Sequence, residues 1–222
     1  MLSVCVLVQN HAPLIPRFLR NVEPIADEIV AVDGGSRDGS QTILRAHPKV
    51  RLYERPFDGF VPQRNFSFDK ATGDWIFILD IDELVGDRIR DRLPALMRAC
   101  RKRWYKFPRY WLVSEKPPLY LCSEVHYPDF AIRLFRNIPF FRYTEDRIVH
   151  HHFPREGRGP GKKVRDAHVF HLHLLLYDRA QREAKVAAFN RAAPAEAATS
   201  NPTYLFEDYA HEVRACEEPL PD

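Results

Sequence analysis

The most constraining stretch of the chain is Ala71-Thr-Gly-Asp-Trp-Ile-Phe-Ile-Leu-Asp-Ile-Asp-Glu83, an apolar run that ends abruptly in carboxylates. The consecutive apolar residues Trp75 to Leu79 predict a strand covered on both faces, as in the centre of a parallel sheet. Period two then places Asp80 and Asp82 on one side of that strand and Ile81 on the other. Two neighbouring anions at a buried edge repel each other. A divalent cation between them relieves the repulsion, and open parallel sheets collect their ligands at the carboxyl ends of strands. The plainer reading is a solvated loop in which Asp80, Asp82 and Glu83 supply a helix N-cap, and on this stretch alone both readings stand.

The segments before it alternate in a way that supports a parallel sheet. Leu2 to Val8 predicts a buried first strand, ended by Gln9-Asn-His-Ala-Pro13. Leu14, Ile15, Phe18, Leu19 and Val22 give the spacing of an amphipathic helix, with Pro16 in its first turn. Glu28 to Val32 predicts a second strand, closed by Asp33-Gly-Gly-Ser-Arg-Asp-Gly-Ser40; Gln41 to Ala46 predicts a helix and Val50 to Glu54 a third strand. This β-α-β-α-β order implies right-handed crossovers and a helix-covered sheet. Ser36 to Ser40 can present backbone N–H groups to an anion or form a plain glycine turn with an N-cap.

Further on, Phe66 to Ala71 predicts a short polar helix with Gln63, Arg64 and Asn65 at its entrance, and Arg88 to Cys100 a longer one. The basic-aromatic run Arg101 to Val113 suggests a nucleic-acid patch superficially, but period two makes Trp104 to Val113 a strand. Leu119 to Leu121 and Phe130 to Phe135 are further strands. The last third holds His150, His151, His152, His168, His171 and His173; by period two His171 and His173 share a strand face. Asp178 caps a helix from about Arg179 to Ala193, Tyr204 to Arg214 suggests a last helix, and Glu217 to Asp222 reads as frayed.

Composition bounds the function classes. With 222 residues the chain suits one domain, here spanning 1–215 with residues 216–222 as a disordered tail. The excess of 33 basic over 30 acidic residues, +3, is too small to argue for nucleic acid. Cys5, Cys100, Cys122 and Cys216 lack CxxC spacing, so neither a zinc ribbon nor a disulfide framework is suggested, and a reducing compartment fits. No apolar run approaches the roughly 20 residues of a spanning helix. The expectation is a cytoplasmic protein, compatible with peripheral contact at the inner face of a membrane.

Taken together, these residues resemble family 2 glycosyltransferases of the GT-A fold over about Leu2 to Phe189. The marks are Gln9-Asn10-His11 after the first strand, Ile29-Val-Ala-Val-Asp-Gly-Gly-Ser-Arg-Asp-Gly-Ser40, Gln63-Arg-Asn65 and Ala71 to Glu83. Small bacterial members that decorate lipopolysaccharide cores or other surface glycans look most similar. The resemblance implies an α/β, Rossmann-like mixed sheet covered by helices, with a nucleotide-binding half at about 1–100 and an acceptor-side half at about 101–193. It implies that Val8, Asn10, His11 and Asp33 hold the nucleoside, Asp33 at the base, with Arg64 and Asp80 on the nucleotide. Asp80-Ile-Asp82 stands as the DXD element, binding Mn²⁺ or Mg²⁺ and through it the diphosphate of a nucleotide sugar, a UDP-sugar first. His173, or else His171, matches a late metal-side histidine of similar enzymes.

The implied reaction is an inverting transfer to the hydroxyl of a glycan, a lipid-linked acceptor or a small molecule. Asp146 of Thr144-Glu-Asp146 resembles the family's base, followed by Glu145 and then His151. The sequence departs from the family at His11, near a position often acidic, and at Val149-His-His151, where similar chains carry Val-His-Glu. A pseudoenzyme that binds nucleotide sugar without turnover is the alternative. A nucleotidyltransferase is disfavoured by the lack of a glycine-rich basic loop after the first strand. Oligomeric state is not encoded in any motif.

Overall fold

The computed structural model describes residues 1–144, 153–154, 159–192 and 212–221. The first half alternates strictly: β1 (Leu2–Val8), α1 (Ile15–Val22), β2 (Glu28–Asp33), α2 (Ser40–Arg45), β3 (Val50–Glu54), α3 (Phe60–Lys70) and β4 (Trp75–Asp80). Next come β5 (Glu83–Val85), α4 (Asp87–Arg98), β6 (Trp104–Glu115), β7 (Pro118–Leu121) and β8 (Asp129–Arg136). The remaining described elements are β9 (Gly161–Lys163), β10 (Val169–His171), α5 (His173–Leu176), α6 (Arg179–Ala192) and β11 (Val213–Ala215).

The strands form one mixed sheet in the order β11-β7-β6-β8-β4-β1-β2-β3. β1 lies parallel to both β2 and β4, with Val8 opposite Asp33 and Leu7 opposite Asp80. The two strand ends that carry Asp33 and Asp80 therefore flank a single central strand. β8 and β6 continue the sheet antiparallel. Alternate residues of β1 and β4 enter different cores: Leu2, Val4, Val6, Trp75, Phe77 and Leu79 pack with α1 and α4, whereas Cys5, Ile76 and Ile78 pack with Phe68 of α3. This double burial is why these strands read as unbroken apolar runs.

Four local expectations are corrected. α3 begins at Phe60, so Gln63 and Arg64 lie buried within the helix instead of at its entrance. Gly59, at φ 126°, makes the turn that starts it, and Gln63 Nε2 donates to the carbonyls of Arg55 and Pro56. β4 stops at Asp80 and Ile81-Asp82 forms a turn, so Asp80 and Asp82 do not share a strand face. His173 begins α5 instead of continuing β10. Finally, residues 217–221 are not frayed: Val213–Ala215 before them pairs with β7 where a helix was expected, and Glu218 is 4% exposed. Glu218 accepts from the backbone N–H of His168 at 2.9 Å and of Arg88 at 3.2 Å, which fastens this segment to the sheet and to the start of α4. The rest of the expected Tyr204 to Arg214 helix lies outside the described residues. Among these, no helix is long and apolar enough to cross a membrane.

Candidate functional site

The crevice at the carboxyl ends of β1, β2 and β4 has two walls. The first is the loop after β2, and its centre is Asp33, which is fully buried. Its Oδ1 accepts from the N–H groups of Gly35 and Ser36 at 2.9 and 2.8 Å and from Gln41 Nε2 at 2.8 Å, while Oδ2 accepts from the Ser36 hydroxyl. Burial raises its pKa, but the donors of Ser36 and Gln41 outweigh this and hold it below the ordinary carboxylate value. Asp33 thus organises the loop with bonds from its own neighbours. Gly35, at φ 102°, supplies a left-handed step that other residues resist.

The turn after β1 is laced to this loop. Asn10, at φ 55°, donates its N–H to Ser36 Oγ at 2.8 Å and accepts from the Arg37 N–H at 2.8 Å. The His11 N–H donates to Ser40 Oγ at 3.1 Å, and His11 Nδ1 accepts from the Gln9 N–H at 3.2 Å. Burial lowers the His11 pKa, consistent with a neutral ring that accepts at Nδ1. Gln9, Asn10, Gly34, Arg37, Arg55 and Phe57 are among the residues that line the resulting cavity.

The second wall is the end of β4. Asp80 meets Arg64, which also donates to the Leu79 carbonyl at 3.0 Å, and Arg133 Nη2 lies 3.5 Å from Asp80 Oδ2. Arg133 also contacts Glu83, which is fully buried, and Arg109 bridges Glu83 at 3.2 Å to Asp129. Burial pushes the Asp80 carboxyl up, and Arg64 and Arg133 reverse the effect and hold it low. The expected repulsion between Asp80 and Asp82 is therefore relieved on the Asp80 side by arginines.

Asp82 has different company. β10 pairs with β5 so that His171 faces Glu83, and the Leu172 N–H donates to the Asp82 carbonyl at 2.8 Å. That clasp brings the histidines on either side of Leu172 to one carboxylate oxygen: His171 Nε2 and His173 Nδ1 each lie 3.4 Å from Asp82 Oδ2. One ligand atom from each of the three residues falls within 4.8 Å of the others. The 3.4 Å separations are long for hydrogen bonds, yet match the edge between ligands that each sit about 2.1 Å from a shared ion. Burial pushes the His173 pKa down to about 4, so its ring is neutral, as a ligand must be. Burial acts to raise the Asp82 pKa, and the neighbouring histidines hold it well below the carboxylate range. His171 Nδ1 is buried without a hydrogen bond to a described residue, and the ring packs against Trp111 at 4.3 Å between centroids. The donor set of two imidazoles and one carboxylate fits a divalent transition ion.

The structure thus brings Val8, Asn10, His11, Asp33, Arg64, Asp80, Asp82 and His171 to the crevice, with His173 buried beside Asp82. Glu145, Asp146 and His151 lie outside the described residues. Sequence reading named Glu83 only as a helix cap and gave no site role to Arg109, Arg133 or Lys185. A signal existed for Arg133, a lone cation inside the apolar run Phe130 to Phe135; for Lys185, on a largely polar helix, there was none.

Residues 3–106 match the family model described as Glycosyl transferase family 2. The lipopolysaccharide core biosynthesis glycosyltransferase LpsC of Rhizobium meliloti is 26% identical over 184 residues, 80% of this chain and 65% of that protein. Just under half of the chain therefore resembles glycosyltransferase family 2. A TPR repeat-containing protein of Synechococcus elongatus is 40% identical over 81 residues, 36% of this chain and 20% of that protein. The chain therefore spans less than two thirds of the length of these relatives. The fold is GT-A, as in the mannosyltransferase PcManGT of Pyrobaculum calidifontis, solved with GDP-Man and Mn²⁺; that structure aligns with a TM-score of 0.59 at 18% identity over 92% of this chain and 69% of its own.

Proposed function

We propose that this domain transfers a sugar from a nucleotide-diphosphate sugar to an acceptor hydroxyl with inversion, and that it depends on a divalent ion. The observation that carries the reading is the Asp82–His171–His173 cluster, set beside the crevice at the ends of β1 and β2. Asp82, His171 and His173 would hold the ion. The mixed nitrogen and oxygen donors favour Mn²⁺ over Mg²⁺, which prefers oxygen alone. When bound, the ion supplies Lewis-acid stabilisation of the departing diphosphate.

The chain's own residues account for the rest. The loop ordered by Asp33 and the Val8 to His11 turn form the nucleoside wall. Arg64 and Arg133 fix Asp80 at the neighbouring strand end, so its carboxylate serves as an oriented acceptor for the sugar or ribose hydroxyls. Burial of the site strengthens every charge in it. Asp146, then Glu145, then His151 remain the candidates to take the acceptor's proton. The relationship to LpsC makes a surface glycan or lipopolysaccharide core, lipid-linked or free, the proposed acceptor class, with the protein acting at the cytoplasmic side of a membrane.

Titration calorimetry with UDP and GDP, with and without Mn²⁺, tests the reading. Wild-type protein is expected to bind one of them more tightly with Mn²⁺, and Asp82→Ala to lose that increment while melting as a folded domain. Equal Mn²⁺-dependent binding in Asp82→Ala would refute the metal assignment.

A further inference from the structure

The cavity at the loop after β2 and the metal-bearing cleft share a border. Gln9, Gly34 and Phe57 line both, so a nucleotide whose diphosphate lies at the ion places its base in the first cavity. Phe57 is 46% exposed and offers a ring on which any base can stack, which adds affinity without choosing among bases. Choice requires hydrogen bonds to the edge of the base.

Asp33, which the family resemblance puts at the base, is saturated. A carboxylate offers about four acceptor sites, and Asp33 takes four bonds from Gly35, Ser36 and Gln41 while fully buried. Other polar groups of this cavity are also engaged within the protein. Gln9 Nε2 donates to the Gly34 carbonyl at 3.1 Å, Asn10 Oδ1 accepts from the Arg37 N–H, and Arg55 meets Asp58. Gln41 donates to Asp33 and accepts from Arg45 Nη1 at 3.4 Å. Two charged groups remain. Arg45 meets one oxygen of Glu54, Oε1, and the Arg37 guanidinium has no polar partner among the described residues. Glu54 stands beside Asp33 in the parallel register of β2 and β3, whereas Arg37 belongs to the loop after β2. A carboxylate and a guanidinium thus line the base cavity from different segments of chain.

We infer that Glu54 and Arg37 select guanine as the base of the donor, in place of the uracil expected first from the sequence. The inference rests on the donor reading proposed above. Guanine carries two adjacent donors, N1–H and the 2-amino group, which one carboxylate accepts together, and two acceptors, O6 and N7, which one arginine meets together. Uracil has a single N–H between two carbonyl oxygens, so Glu54 would gain one bond and face a repelling oxygen. Adenine presents an acceptor at N1, where guanine has a donor, and leaves Glu54 without a bond there. Arg45 ties the Glu54 carboxylate to Gln41, and through it to Asp33, so the group is oriented before a base arrives. The Arg45–Glu54 pair is exposed on both sides, and such pairs contribute little, so the carboxylate can be shared with a base.

Calorimetry in saturating Mn²⁺ with GDP, inosine diphosphate, UDP and ADP tests this in wild type, Glu54→Gln and Arg37→Met. Inosine diphosphate keeps the ring of GDP and lacks only the 2-amino group. Wild type is expected to bind GDP about ten- to a hundredfold more tightly than UDP or ADP, and about tenfold more tightly than inosine diphosphate, the range for hydrogen bonds to a charged group. Glu54→Gln is expected to close the gap between GDP and inosine diphosphate. Arg37→Met is expected to weaken the two equally, since both keep O6 and N7. Binding of UDP or ADP by wild type as tightly as GDP overturns the inference. So does a gap between GDP and inosine diphosphate that Glu54→Gln leaves intact, even if all four nucleotides weaken together, which would mark a structural role. Unchanged GDP affinity in Arg37→Met overturns it as well. Failure of the wild type to bind any of the four overturns the donor reading, and the inference with it.

Discussion

Glu28 shows how a single side chain locks the sheet. It is 7% exposed and accepts from Ser3 Oγ at 2.6 Å, from the Thr72 N–H at 2.6 Å and from Arg51 Nη1 at 2.7 Å, joining the starts of β1, β3 and β4. Burial raises its pKa, but these donors bring it down to about 2, against 4.5 in an unfolded chain. Because the folded state binds the proton less well, this stabilisation is full above pH 4.5 and is lost as pH falls toward 2. Urea melts of Glu28→Gln should show a loss of about 2 kcal/mol at pH 7 and a flatter profile than wild type below pH 4.5. At this scale the sequence was informative where chemistry repeats a pattern. Asp80 and Asp82 stood out because carboxylates ended an apolar run. Glu83 ended the same run, but its pairing with Arg109 and Arg133 could not be read there, because it depends on strands 26 to 50 residues apart in the chain meeting side by side.

Among the elements, the short ones carry the most consequence. β10 is three residues long, yet it positions His171 and, two residues later at the start of α5, His173. It is held by β5, by β6 and by Gly86, whose N–H donates to the His168 carbonyl at 3.0 Å. A Cβ on Gly86 would sit 2.6 Å from that carbonyl and 2.9 Å from Glu218 Oε2. Gly86→Ala should therefore cost about 1–3 kcal/mol in urea melts, and Mn²⁺ affinity should fall with it as β10 shifts. The long buried strands were legible from their apolar runs, and the helices on them from 3.6-residue spacing. Three-residue strands such as β5, β9 and β10 hold too few positions to show any period, and only tertiary pairing defines them.

Across the whole molecule, the end of the described chain closes the structure. Besides its two backbone acceptances, Glu218 lies 3.0 Å from His168 Nδ1, so one carboxylate joins this segment to β10 and α4. Glu218→Ala leaves these groups buried and unsatisfied and should lower stability by about 2–4 kcal/mol, measured as an earlier urea midpoint at an unchanged slope. The tail's polar, proline-containing sequence concealed this contact, since nothing local distinguishes a docked carboxylate from a solvated one. The opposite case is β1, whose apolar run was plain from the start. Flanked by β2 and β4, it acts as a ruler, setting Asp33 against Val8 and Asp80 against Leu7. Under the donor reading, the base-facing loops after β2 and β3 can be rewritten while the phosphate end stays a fixed distance away. A new nucleotide preference is then reachable by small changes in two loops, without rebuilding the centre that performs the transfer.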